Sequence, residues 1–349
     1  MSEKLKVAVL GATGYSGLEL ARLLARHPRI DTPLLLRRME GTPSESGAPA
    51  TETAGHAGNG HAPSQPFSWA VLKEQNVEIL YLATPHSVSR EVVPDAVARG
   101  LRIIDLSGAW RLKEAEHRAV YGFTGADTPA TAELDERSVY GLPELNAARI
   151  ASANLVANPG CYATSIILAL APLLSAGLVD RDRGIISDSK SGVSGAGKEL
   201  SARTHFVNVA DNFSAYSVFG HRHTGEVLEQ LGLQSENFIF TPHLLPIPRG
   251  ILSTIYLQLK RKSDAAAIQE CYARFFEGKK FVRVYPASSL PEIRFSVHTN
   301  YCDLGFSLAA DGRRLILVSC LDNLLKGAAG QAIQNMNVMC GWAETEGLQ

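Results

Sequence analysis

The chain has 349 residues, and at about 150 residues per domain that length predicts two domains. Its 34 Lys+Arg balance 35 Asp+Glu to a formal charge of −1, which offers no electrostatic footprint for nucleic acid or an anionic membrane. Five cysteines without a CxxC pair (Cys161, Cys271, Cys302, Cys320 and Cys340) argue against a disulfide framework or a zinc ribbon. Lys6–Leu10 reads as a short buried strand. The charged start before it does not read as a signal peptide, so a cytoplasmic setting is expected, or an organelle stroma after removal of a transit segment. Leu20, Leu23 and Leu24 then recur at helical spacing until Pro28. Thr32–Arg38 and Val77–Ala83 read as strands, Val92–Ala98 as a short helix and Leu101–Leu106 as a further strand. Strands alternating with helices predict a doubly wound parallel sheet. Between them Thr42–Pro66 is almost entirely Ser, Thr, Ala, Gly, Pro and His, and is expected to be a mobile surface loop. The longest apolar run, Ser165–Val179, contains Pro172 and Gly177 and is too short to span a bilayer. From about residue 184 the rhythm changes. Ile251–Lys260, Phe281–Tyr285, Ile293–His298 and Arg314–Ser319 alternate like strands with one wet face, Ala265–Phe276 reads as a helix, and Asn323–Met339 as a last helix returning to the first domain.

Three constellations bear chemistry. Gly11, Gly14 and Gly17, with Thr13, Tyr15 and Ser16 between them, sit between a strand and a helix. That is where a dinucleotide pyrophosphate meets a helix N-terminus, although the spacing is GxxGxxG and not GxGxxG. The second strand ends at Arg37-Arg38, whose guanidinium groups suit a 2′-phosphate, with Glu40 the competing ribose ligand; NADP(H) is the expected cofactor. Asn158-Pro159-Gly160-Cys161 places a cysteine at a helix start, where the dipole and free amides are expected to lower the thiol pKa and supply oxyanion donors. In Gly220-His221-Arg222-His223-Thr224-Gly225-Glu226 the two histidines lack a companion ligand cluster, so no metal is expected, and an imidazole suits proton transfer to a thiol adduct. Arg222 is a candidate for a substrate carboxylate, and His223 and Glu226 complete the set of substrate candidates there. Gly192 to Lys198 fits GxxxxGK, but Glu199 replaces the magnesium-binding hydroxyl, so a second nucleotide site is not expected. Lys190, Lys198 and Arg111 are candidates for binding an anionic substrate group.

GATGYSG at 11–17, LATPHSVS at 82–89, DLSGAWRL at 105–112, YGLPELN at 140–146, NPGCYATS at 158–165, SGVSGAGK at 191–198 and GHRHTGE at 220–226 occur in order. Together they resemble the N-acetyl-γ-glutamyl-phosphate reductases of arginine biosynthesis, relatives of the aspartate-semialdehyde dehydrogenases. The resemblance implies an α/β Rossmann domain (residues 1–160 plus 322–349). It also implies an α+β glyceraldehyde-phosphate-dehydrogenase-like catalytic and oligomerisation domain with a mixed sheet (161–321). It further implies NADP, a small acyl-phosphate substrate and a homo-oligomer, dimer or tetramer. Cys161 matches the family's nucleophile and His221 its acid/base histidine, protonated when it supplies a proton to the thiohemiacetal. Ser191 and Gly192 match the loop between cofactor and substrate, and Asn323 the segment that reaches the nicotinamide. The rival readings are a sister reductase for aspartyl phosphate or a carrier-bound aminoadipate derivative, and a non-catalytic NADP-binding regulator.

Overall fold

A computed structural model of the chain describes residues 4–38, 64–123 and 128–348. Seven strands of the N-terminal half, β1 (Val7–Leu10), β2 (Leu34–Arg37), β3 (Gln65–Pro66), β4 (Ile79–Leu82), β5 (Arg102–Asp105), β6 (Val139–Tyr140) and β7 (Leu155–Ala157), form one sheet in the order β3-β2-β1-β4-β5-β7-β6. Every pairing in it is parallel. The central strands are buried on both faces, which is why β1 and β4 read as unbroken apolar runs. Chain order reverses between β1 and β4, the position at which doubly wound sheets open a ligand crevice.

The second sheet has the order β12-β13-β14-β11-β8-β10-β9, from β8 (Ile185–Gly192), β9 (Ser214–Ala215), β10 (Phe238–Leu245), β11 (Ile251–Gln258), β12 (Val282–Val284), β13 (Cys302–Leu308) and β14 (Arg314–Leu321). It is mixed: β10 runs parallel to β8 and β12 to β13, while β8, β11, β14 and β13 pair antiparallel. The Cys161–Ser175 helix is buried from Tyr162 to Leu174, between this sheet and the Thr224–Leu231 and Ala265–Phe275 helices. A helix apolar on all sides has to lie inside.

The structure departs from the sequence expectations in four places. Residues 293–298 do not form a strand: Ile293–Ser296 is one helical turn, and Ile293 and Val297, four apart, press together on Gly250. Their alternation with Phe295 fits either period. The helix expected at Val92 begins at His86, because Ser89 faces inward to accept from the Trp110 indole. Strand β8 shows no apolar alternation because its inward residues Ser187 and Ser189 sit in a buried hydroxyl chain with Ser253, Ser165 and Ser319. The last helix is preceded by a π-turn at Leu325–Ala329 and regular only over Gly330–Met339. Of the expected 42–66 loop, Gln65–Pro66 pairs with β2; residues 42–63 and Glu40 lie outside the described residues.

The Gly330–Met339 helix packs on the Tyr15–Arg26 and Pro143–Ala151 helices through Ala332, Ile333, Met336 and Met339. Beneath it lies a fully buried ion pair. Lys326 Nζ donates to Glu144 Oε1 at 2.7 Å and to Gln334 Oε1 at 2.7 Å. Burial alone pushes the Glu144 carboxyl up; Lys326 and Gln334 outweigh it and hold it below its ordinary value. Lys326→Ala is expected to cost about 3–5 kcal/mol in denaturant unfolding because Glu144 is left uncompensated, and Lys326→Met with Glu144→Met to recover most of that loss. A single-variant cost under about 1 kcal/mol would show that the pair does not hold the turn.

Candidate active site

A cleft of about 960 Å³ lies between the two sheets, lined from the N-terminal half by the glycine loop, His86, Gly108 and Arg111, and from the other by Cys161, Ser191, His221 to His223 and Asn323. Gly11 closes β1 with φ +88°, and a Cβ there would meet the Ala83 carbonyl at 2.5 Å. Only glycine lets the loops after β1 and β4 approach so closely. The Tyr15–Arg26 helix follows, so Gly14, Tyr15, Ser16 and Gly17 reach the cleft while Gly11 and Thr13 support them from behind. Lys198 Nζ donates to the Thr13 carbonyl and ties the second half to this loop. A glycine turn at a helix N-terminus, in the crevice where strand order reverses, fits a dinucleotide pyrophosphate.

Cys161 is the first residue of its helix, with Gly160 as N-cap. A Cβ on Gly160 would collide with the His223 ring, and one on Gly327 would lie 2.6 Å from the Cys161 Cβ, so two glycines bring the histidine and the π-turn against the cysteine. The expected lowering of the thiol is not found. Burial pushes it up, against the opposing pull of Arg222, the Tyr162 amide and Arg111. The resting group is therefore a thiol.

His221 stands in an aromatic box of Tyr162, Tyr216 and Phe240, with ring centroids 5.5, 5.6 and 5.1 Å away. Its Nδ1 accepts from the His223 amide at 3.1 Å. Burial, and then Arg222, pull His221 down to about 3, so the ring is neutral at pH 7 and its proton is assigned to Nε2. The expected protonated ring is thus corrected. His223, buried and beside His221 and Arg222, is held well below the ordinary value too. Its Nδ1 has no partner among the described residues.

Glu226 does not line the cleft. Fully buried, it accepts from Gly160 N at 2.9 Å, from Tyr140 Oη at 2.7 Å and from Arg111 Nη1 at 3.0 Å. Arg111 lines the cleft but also donates to the Asn158 and Leu106 carbonyls at 2.7 Å each. Lys190 points away, paired with Asp188 at 2.8 Å on the far side of β8. Arg37 and Arg38 are exposed at the end of β2 and outside the main cleft, with Arg38 3.9 Å from Glu91. Asn323 accepts from Gly250 N and donates to Ser194 Oγ; Ser191 lines the cleft, and Gly192 is held under Arg249 behind it. Sequence reasoning passed over His86, which opens the helix after β4, and Tyr216; a histidine directly after Thr84-Pro85, the turn that follows the strand, was the available signal.

Residues 6–153 match the semialdehyde dehydrogenase NAD-binding domain and residues 161–323 the semialdehyde dehydrogenase dimerisation domain. The chain is 44% identical over 347 residues to the N-acetyl-gamma-glutamyl-phosphate reductase of Pelotomaculum thermopropionicum, covering 98% of this chain and 97% of that one. It is 42% identical over 357 residues to the protein of the same name from Desulfotalea psychrophila, covering 99% and 98%. Aspartate semialdehyde dehydrogenase II of Vibrio cholerae superposes with a TM-score of 0.69 at 19% identity over 97% of this chain and 99% of its own, a likeness of fold alone.

Because the Cys161 thiol is raised, its alkylation by iodoacetamide should keep accelerating with pH to above about 8.5, the ordinary cysteine value. Arg222→Ala should shift that curve to still higher pH. A plateau near pH 6–7 would contradict a resting thiol.

Proposed function

The chain belongs to the N-acetyl-gamma-glutamyl-phosphate reductase family of semialdehyde dehydrogenases, and from that membership we propose that Cys161 and His221 conduct its reaction. The protein is an NADP-dependent oxidoreductase of arginine biosynthesis that reduces N-acetyl-L-glutamyl 5-phosphate to N-acetyl-L-glutamate 5-semialdehyde and phosphate. The observation that supports the residue assignment is Cys161 at a helix start in the cleft, with the neutral His221 on the same wall.

Cys161 attacks the acyl carbon, a C–S bond forms, the bond to the phosphate oxygen breaks, and the thiol proton leaves on the phosphate. First-turn amides of the Cys161–Ser175 helix and Nε2–H of His221 stabilise the oxygen that gains charge. When bound, NADPH would supply the hydride needed to take the thioester to the aldehyde level. The resulting thiohemiacetal oxygen stays hydrogen-bonded to His221 until the carbonyl re-forms, and sulfur leaves as a thiolate that regains a proton from water. Arg222, exposed on the cleft wall, is proposed for the substrate carboxylate, and His223 with its unpartnered Nδ1 as a second polar contact. Glu226 acts as a positioning residue. The glycine loop and Asn323 would hold the cofactor, with Arg37 and Arg38 at its 2′-phosphate.

The domain division of 1–160 plus 322–349 against 161–321 is supported by the packing of the last helix on the first sheet's helices. Ile239, Ile186, Tyr256 and Ile316 form one exposed apolar row across β10, β8, β11 and β14, a face suited to a second copy and to a homo-oligomer. No helix among the described residues is long and apolar enough to cross a membrane, and a cytoplasmic enzyme is proposed. Purified protein should sustain turnover of NADP+ with N-acetylglutamate 5-semialdehyde, beyond one NADPH per active site, only when phosphate is present, and Cys161→Ser should lower kcat by at least about 10⁴-fold. Equal kcat/KM with aspartate semialdehyde, or activity in the serine variant, would overturn the substrate or the nucleophile respectively.

A further inference from the structure

The mechanism above leaves one cleft histidine unused. His86 is the first residue of the His86–Ala98 helix and lines the wall formed by Gly108 and Arg111. Its Nδ1 accepts from the Gly108 amide at 3.0 Å, and its ring rests edge-on against Tyr121 with centroids 4.6 Å apart. That bond fixes the tautomer as it does in His221: Nδ1 has its lone pair occupied, so the neutral ring bears its proton on Nε2. No group among the described residues accepts from that nitrogen.

The charged surroundings identify what does. Burial first, and then Arg222 and Arg111, hold the His86 ring down to about 4, so two guanidinium groups face a neutral N–H donor. His86 also adds to the lowering of His223, whose unpartnered Nδ1 borders the same region. A donor that is neutral but flanked by cations attracts an anion without being able to lose its own proton to it. The carboxylate at the far end of the substrate and the phosphate at its reacting end are the two anions available. His86 and Arg111 stand on the wall contributed by the N-terminal half, with Arg111 donating to the carbonyl of Asn158, three residues before Cys161. We propose that His86 is a substrate-positioning residue that donates Nε2–H to the phosphate that Cys161 displaces from the acyl carbon, and binds inorganic phosphate there in the reverse direction. This rests on the acyl-phosphate reading of the site.

The groups facing His86 are Arg111 from the loop after β5, Tyr121 from the turn at 119–121, and Arg222 and His223 from the 220–224 loop. None of these four changes charge between pH 7 and 9, because His223 is held neutral, burial pushes Tyr121 up to about 12 and the arginines stay protonated. In the phosphate-dependent direction His86→Ala should raise KM for phosphate about 10- to 100-fold, with KM for NADP+ and for the semialdehyde within about twofold of wild type. His86→Gln, which keeps an N–H at the ε position, should recover most of the loss. The ratio of the variant's phosphate KM to that of wild type should be flat from pH 7 to 9. Independently of turnover, inorganic phosphate should slow iodoacetamide labelling of Cys161 in the wild type and His86→Gln but not in His86→Ala.

The proposal is overturned if phosphate KM stays within about twofold, if the increase falls on NADP+ or the semialdehyde instead, or if phosphate protects Cys161 equally in wild type and His86→Ala. A wild type protected by phosphate yet inactive with the semialdehyde would sink the substrate reading and leave the His86 contact standing.

Discussion

The Glu226 carboxylate is the interaction on which the site depends. Its two oxygens accept from Gly160 N, Tyr140 Oη and Arg111 Nη1, groups drawn from the start of the Cys161 helix, from β6 and from the loop after β5. The amide of Gly160 would otherwise be a buried orphan at a helix N-terminus, and Arg111 a buried cation without a counter-charge. Both needs are met by one side chain that never reaches the cleft. Through it, the position of the Cys161 helix, the conformation of the DLSGAWRL segment and the first turn of the Thr224–Leu231 helix are set together. Both halves of the chain thereby fix one catalytic geometry.

A second buried charge does similar work on the other side of Cys161. The π-turn at Leu325–Ala329 brings Gly327 against the cysteine, and Lys326, pointing away from the cleft, locks that turn to Glu144 and Gln334. Asp322 caps the entry to the turn by accepting from the Leu324 and Leu325 amides. The cleft itself is built differently. Its histidines are neutral, His86 and His221 with Nδ1 tied to a backbone amide, while the guanidinium groups of Arg111 and Arg222 supply positive charge. Such a site recognises anions through fixed cations and fixed N–H donors, and its chemistry varies little with pH until the thiol ionises.

What the sequence made legible was local. The glycine loop and Asn158-Pro159-Gly160-Cys161 are turn-and-helix signals whose physics spans a few residues, and both stand where they were expected. The parallel sheet followed from short apolar strands alternating with helices. The hub was not legible as a hub, because Glu226 meets Arg111 across 115 positions and Gly160 across 66. From sequence it reads as an N-terminal helix charge or a substrate contact. Lys326 has the composition of a surface residue and is wholly buried. Strand β8 hides behind inward serines, whose burial is tolerable only because Ser165, Ser253 and Ser319 from other elements bond them. The ionisation states of Cys161 and His221 were misjudged for the same reason: helix position argues for a lowered thiol, whereas burial is a property of the assembled core.

The central claim is that the acyl group passes through a thioester on Cys161. It is tested by mixing the protein with NADP+ and N-acetylglutamate 5-semialdehyde in the absence of phosphate. The account predicts a burst of one NADPH per active site, an acyl mass on the peptide containing Cys161, and release of that mass when phosphate is added. NADPH formation that begins only with phosphate, with no acylated peptide at any time, would contradict it.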